Sequence, residues 1–402
     1  MTANTDRPLD GIRVIELGQL LAGPFTGAIL GYFGAEVIKV EPPGTGDPIR
    51  GWRVLDDEGT SLWWRSIGRN KKSVTLDLKT ERGRELAKQL MLIADVVVEN
   101  FRPGVMEEWG LGPDDLEPLN PSLIFARISG YGQTGPYSTK PGYASVTEGM
   151  SGFRYVNGFP GGPPVRPNLS IGDTISAIHA ALGVCLALLQ RQRGSGSGQV
   201  VDVALYESMF NLMEAVVPEF SGAGVKREPS GTTVTGIVPT NTYTCGDGKY
   251  VVIGGNGDSI FKRLMAAAGR SDMAENPAMA DNAGRVENEA QIDAALADWC
   301  ASLPAADIVS ILEAERVPVG LIYNVEDQMN DPHFHARGMF QKVDMGGDSL
   351  TIPAITPVLS DTPGRTDWPG GEVGSHNQEV LQGLLKLSDE EIASLIEEGV
   401  CS

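Results

Sequence analysis

Short apolar runs alternate with longer amphipathic stretches along the first half of the chain. The runs IRVIEL (Ile12 to Leu17), AEVIKVE (Ala35 to Glu41), SVTLDL (Ser73 to Leu78), DVVVENF (Asp95 to Phe101) and LIFARISGYG (Leu123 to Gly132) carry the length and the Val and Ile content of strands. FTGAILGYFG, entered through the turn AGP, and ERGRELAKQLMLIA read as the helices between them. Strands that alternate with helices imply a mostly parallel sheet covered on both faces. The pattern therefore predicts a Rossmann-like α/β large domain.

The stretch NLSIGDTISAIHAALGVCLALL (Asn168 to Leu189) reads as a further helix, with Ile175, Ile178, Leu182, Leu186 and Leu189 at spacings of three and four and small residues on its other sides. Asp173 follows a glycine at its mouth. An aspartate there is expected to cap the helix, and the positive end of the helix dipole also favours its ionised form and other anions. His179, six residues on, lies about 240° around the helix from it and reads as a packing residue.

After Arg193, GSGSGQ is a short turn and VVDVALYESMFNLMEAVV resumes with a strand and a helix. Composition shifts to Gly, Ser, Thr and Pro from about Gly222 to Thr235, marking a crossing into a smaller α+β domain. That domain opens with the hairpin pattern TYTCGDGKYVVIGG, turned at Asp-Gly. The expected division is residues 1–221 in the large domain, 222–325 in a linker and small domain, and 326–402 returning to the large domain. The last helix, SDEEIASLIEEG, opens with a capping-box pattern.

Composition narrows the function. The chain of 402 residues has 52 acidic against 32 basic side chains, a formal charge of −20, which repels nucleic acid and anionic membrane. Its four cysteines are far apart in sequence, as expected in a reducing compartment, and cytoplasm is the expected location. The polar start MTANTDRPLDG is unlike a signal peptide, and no uninterrupted apolar run reaches the roughly 18 residues of a membrane span. Four histidines, two of them in DPHFHARG, do not reproduce a metal-site spacing, so no metal is expected.

From PLDGIRVIELGQLLAGPF through GAEVIKVEPPGTGDPIRGW, RNKKSVTLDLK, ADVVVENFRPGVME and NPSLIFARISGYGQTGPY to SIGDTISAIHAALG, the ordered set of segments resembles the class III CoA-transferases, the CaiB/BaiF or formyl-CoA transferase-like family. The resemblance implies an interlocked homodimer, coenzyme A as substrate and product with no tightly bound cofactor, and Asp173 as catalytic nucleophile. A carboxylate with an ordinary pKa of about 3.9 is ionised at neutral pH and needs no partner base to attack a thioester. The resemblance also implies Leu76 and Lys79 near the nucleotide, Asn100 and Phe101 over the pantetheine arm, and Tyr143 and Trp52 near the thioester, with core or domain-interface aromatics as the alternative for the last two.

CoA is polyanionic, so the basic run RSIGRNKKS, with Arg65, Arg69, Lys71 and Lys72, is expected to contact its phosphates, and a solvated basic face is the alternative. The loop GGNGDS, beginning Gly254-Gly255, is a candidate source of backbone donors for an oxyanion, and an ordinary turn is the alternative. Arg154 and Arg166, ahead of Asp173, suit the carboxylate of a C4 or C5 dicarboxylic acid, with succinyl-CoA as donor. Leu21 and Ala144 stand where formyl-transferring members carry a glutamine and an acidic residue, which argues against formate or oxalate. Glu148 is expected as an exposed helix residue, with a substitute role as the alternative. An α-methylacyl-CoA racemase is the rival activity, but Tyr143 stands where that branch has its histidine, and an ordinary pKa of about 10 makes tyrosine a poor base. A non-catalytic CoA-binding protein is the third reading.

Overall fold

The structure, a computed structural model, describes residues 7–194 and 196–402. The first six residues of the polar start and Ser195 of the glycine-serine turn lie outside the described residues. The chain forms two compact units.

The first unit contains the chain up to Phe153, Pro167–Glu214 and His335–Ser402. Its centre is a six-stranded parallel sheet in the order β3-β2-β1-β4-β5-β6. The strands are β1 (Arg13–Glu16), β2 (Glu36–Glu41), β3 (Lys71–Thr75), β4 (Val96–Glu99), β5 (Ile124–Ser129) and β6 (Val200–Ala204). Helices α1 (Ala22–Tyr32), α2 (Leu62–Ile67), α3 (Glu81–Leu92), α4 (Val105–Glu108), α5 (Pro113–Leu116), α6 (Ala144–Met150), α8 (Ile171–Arg193) and α9 (Leu205–Phe210) belong to this unit, whereas α7 (Phe153–Val156) falls almost wholly in the second. This strand order reverses direction between β1 and β4, and ligands of such sheets bind beyond the carboxyl ends of the strands at that point.

Both faces of the sheet are buried, which is why its strands read as continuous apolar runs. Val14, Val37, Val96 and Val98 pack with Leu30 of α1 and Ala181 and Val184 of α8. Their neighbours Ile15, Ile38 and Val97 point to the other face, onto Leu86 and Leu90 of α3 and onto Val380, Leu381, Ile392 and Leu395 near the chain end. The last helix, Asp389–Glu397, carries a formed capping box: Ser388 Oγ accepts from Glu391 N, and Glu391 Oε2 accepts from Ser388 N.

Helix α8 is long and apolar enough to cross a membrane by length and composition alone. Asp173, Thr174, Ser176 and His179 interrupt its apolar sequence, which is why no uninterrupted apolar run of span length shows in the sequence. Its Ile, Leu, Val and Ala side chains make it apolar, and its small residues let it lie against β5, β6 and α1.

The second unit contains Arg154–Arg166 and Ala215–Phe334. Its antiparallel sheet is β7 (Thr240–Thr244), β8 (Tyr250–Gly254) and β9 (Val319–Leu321), backed by a core that includes Val251, Ile253, Phe261, Leu296 and Ile308. The boundaries differ from the expected 221/222 and 325/326. Helix Val216–Ala223 already packs with the second unit, and so does the 154–166 excursion. Composition changes only afterwards, because a helix of mixed character gives no signal of which core it joins.

Candidate functional site

Loops after β1, β4 and β5 enclose a cavity of about 440 Å³ in the first unit. Gln19 and Leu20 come from the first loop, Asn100 to Pro103 from the second, and Lys140 to Tyr143 from the third. Asp173, in the first turn of α8, completes the wall. The position is the one at which a sheet of this order binds ligands. A second cavity of about 370 Å³, beside Leu76 and Lys79, shares Gln19, Phe101 and Trp109 with the first.

Asp173 is not the helix cap. The helix begins two residues earlier, Ser170 is the capping position, and Thr174 N bonds to Ser170 O at 3.1 Å. The expected cap is therefore corrected: Asp173 lies within the first turn, half-buried, close to the positive end of the dipole. The preceding glycine has a packing reason. A Cβ on Gly172 would lie 3.0 Å from Ala144 Cβ and 3.3 Å from Glu148 Oε1, so only glycine lets α6 approach this close. Glu148 is fully buried, which corrects the expected exposed helix glutamate. His179 Nδ1 donates to Ile175 O at 3.0 Å, back along α8.

The loop after β1 is held on all sides. Asn100 Oδ1 accepts from Gln19 N at 2.7 Å, and its Nδ2 donates to Gln19 O at 2.9 Å. Phe101 packs edge-on against Trp109 with ring centroids 5.2 Å apart, and its backbone N–H bonds to Glu99 Oε2 at 2.7 Å. Leu76 is buried in the floor of the second cavity, and Lys79 stands on its rim. Tyr143 is 73% exposed at the start of α6 and lines the first cavity. Trp52 is half exposed and is absent from its walls.

The basic run does not face either of these cavities. Arg69 is 3% exposed; its guanidinium bonds to Ser66 O at 2.6 Å and Pro353 O at 2.7 Å, and burial pushes its pKa down to about 10. Lys72 pairs with Glu36 at 2.8 Å and Glu379 at 2.7 Å. Arg65 is spent on Asp56 and Glu372, and Lys71 on Glu16. The phosphate role expected of Arg69 and Lys72 is thus corrected. Lys72 stands at the amino end of β3, opposite the strand ends where the cavities open, and in so acidic a chain carboxylates neutralise these cations internally.

Arg154, Arg166, Gly254 and Gly255 belong to the second unit. Gly254 N bonds to Pro318 O at 3.0 Å and Gly255 N to Pro239 O at 2.9 Å, so neither amide is available to an oxyanion. The cations that do line the Asp173 cavity, Arg102 and Lys140, were not singled out by their sequence context. Arg102 follows Phe101 directly, and that adjacency was the available signal.

The model of CoA-transferase family III matches residues 9–377. The chain belongs to this family. The family III enzyme is 47% identical over 392 residues, 97% of each chain, to a succinyl-CoA--D-citramalate CoA-transferase of Chloroflexus aurantiacus. It is 34% identical over 390 residues, 95% of this chain and 96% of the relative, to a succinate--glutarate CoA-transferase of Agrobacterium fabrum. Among solved structures, a CaiB/BaiF family protein from Brucella suis superposes with a TM-score of 0.84 at 33% identity, over 94% of this CoA-transferase and all of that chain.

Proposed function

We propose that this CoA-transferase moves CoA from succinyl-CoA to a C4 or C5 dicarboxylic acid, with Asp173 as nucleophile. One observation carries the assignment: among the described residues, Asp173 is the one carboxylate lining the cavity at the β1/β4 strand ends. The relatives named for D-citramalate and glutarate support the donor and the acid class.

The Asp173 carboxylate attacks the thioester carbonyl and expels CoA thiolate, leaving a mixed anhydride with succinate. The thiolate attacks the aspartyl carbonyl, releasing succinate and forming an aspartyl-CoA thioester. The acceptor carboxylate attacks that thioester and expels thiolate, giving a second anhydride. The thiolate then attacks the acceptor's acyl carbon, releasing the new acyl-CoA and the free carboxylate. Carboxylate and thiolate exchange places at each step, so no general base is needed, and no histidine lines the cavity among the described residues. Arg102 and Lys140 place positive charge on its walls, which favours anionic substrates in a chain of charge −20.

The second cavity beside Leu76 and Lys79 suits the nucleotide, with Gln19, Phe101 and Trp109 along the pantetheine arm. A homodimer is part of the proposal, supported by the outward apolar row Ile178, Leu182 and Leu186 on α8, each about half exposed.

The test is purified protein with succinyl-CoA and a panel of mono- and dicarboxylic acids, with new thioesters followed by mass. Transfer to C4 and C5 diacids is expected. Transfer confined to monocarboxylic acids overturns the acid class, and absence of an acyl or CoA adduct on the Asp173 peptide after incubation without acceptor overturns the nucleophile.

A further inference from the structure

A group of full charges lies buried behind the loop after β1. Lys39 and Lys71 meet Glu16 and Asp47, and all four side chains are at most 1% exposed. Lys39 Nζ lies 3.2 Å from Glu16 Oε1 and 2.8 Å from Asp47 Oδ2, and Lys71 Nζ lies 2.8 Å from Glu16 Oε2. Burial works against the charge on Lys39, yet Asp47, Glu16 and Glu41 around it hold its pKa above the ordinary range. Apolar side chains of similar volume often stabilise a core as well as such a group or better. Pairing alone therefore gives no reason for four charges at this place.

What the group grips is backbone. Lys39 Nζ donates to Gly18 O, and Asp47 accepts from Leu20 N at 3.0 and 3.2 Å through its two oxygens. Between them Asn100 takes both backbone groups of Gln19. Leu20 needs such a grip, because its φ is +65°. A branched side chain in the left-handed region is strained and persists only where its surroundings over-determine it. Leu20 and Gln19 form the wall of the cavity that also holds Asp173.

We propose that Asp47, together with Lys39, is a positioning residue for CoA transfer: it holds Leu20 left-handed so that residues 19–20 present one fixed wall to the thioester beside Asp173. The inference rests on the function proposed above. Asp47 is 1% exposed and does not line the cavity that holds Asp173, so its effect runs through the backbone of Leu20. Asp47 also caps the 3-10 turn at Pro48–Gly51, accepting from Ile49 N at 3.1 Å, so a purely structural role makes a different prediction that can be separated.

The separation uses glycine, which adopts positive φ without strain. Transfer rates and CoA affinity by calorimetry are measured for Asp47→Asn, Leu20→Gly, Leu20→Val and the double variant Asp47→Asn with Leu20→Gly. Asp47→Asn is expected to lose about tenfold or more in kcat/KM, and adding Leu20→Gly is expected to recover at least a third of that loss on a logarithmic scale. Leu20→Val, β-branched and least able to hold positive φ, is expected to fall about tenfold below Leu20→Gly with the charge group intact. Failure of Leu20→Gly to improve the Asp47→Asn variant overturns the proposal, as does wild-type turnover in Asp47→Asn. Should Asp47→Asn not fold, equal rates for Leu20→Val and Leu20→Gly overturn it. If the wild type transfers CoA from no donor, the functional reading fails by itself, and CoA affinity across the same variants, expected in the same order, decides the positioning role.

Discussion

At the residue scale, Asp173 and Gly172 have separable duties. Asp173 does not cap α8, so Asp173→Asn and Asp173→Ala are expected to fold with stabilities within roughly 1 kcal/mol of wild type, the size of a lost charge–dipole interaction. Both are expected to lose transfer by more than about a thousandfold, as nucleophile removal does. Thermal melts and thioester assays of the two variants check this, and substantial transfer by a preparation of Asp173→Asn free of deamidated protein removes Asp173 from the mechanism. Gly172→Ala sets a helix-propensity gain of about 1 kcal/mol against an overpacking cost of roughly 1–3 kcal/mol at Ala144 and Glu148. Its melting temperature is expected to move little, while turnover falls about tenfold because the first turn of α8 shifts; unchanged turnover assigns Gly172 to packing alone. The G-D pair was visible in the sequence, but the reason for its glycine was not, since the partner helix α6 is defined only by the fold.

At the scale of elements, the carboxyl end of β4 carries a titrating group that tightens the site. Glu99 is 1% exposed, accepts from Arg127 Nε at 2.7 Å, and accepts from the Phe101 amide. Burial, opposed by Arg127 and by the Phe101 N–H, pushes its pKa up from 4.5 to about 7. A carboxyl raised on folding binds its proton more tightly in the native state, so its contribution to stability is full below about pH 4.5 and is lost as pH rises through about 7. Melting curves between pH 4.5 and 8 are expected to show this downward component in the wild type and not in Glu99→Gln, whatever the overall stability of the variant. Identical slopes in the two proteins remove Glu99 as its source. Nothing in DVVVENF distinguishes this glutamate from a surface one, because its burial depends on Arg127 arriving from the neighbouring strand β5.

At the scale of the whole molecule, the outer row of α8 is an apolar feature that the packing of the first unit does not cover. Ile178 is 48%, Leu182 55% and Leu186 57% exposed. A contiguous exposed apolar row of this kind marks an interaction surface, and a homodimer would bury it. Light scattering is expected to give twice 42.8 kDa for the wild type and a smaller mass for Leu182→Glu with Leu186→Glu. A monomeric wild type at micromolar concentration counts against the dimer. A charged pair that leaves the mass unchanged places the interface elsewhere.

The sequence by itself determined the parallel sheet, the order of strands and helices, the family, and the aspartate at the start of α8. Those depend on local periodicity and on motifs contiguous in the chain, so they survive without knowledge of neighbours. Tertiary structure decided where charge goes. The basic run from Arg65 to Lys72 read as a phosphate site, and the fold turns it inward onto Asp56, Glu36, Glu379 and the Pro353 carbonyl, residues distant in sequence. Lys39 lies in the strand run AEVIKVE and Asp47 was not singled out by its sequence context, and the fold buries both beside Leu20. A charged side chain has no intrinsic side of the protein to face. Its environment is set by whichever partners the strand order brings within a few ångströms, and pairing energy rises steeply once water is excluded.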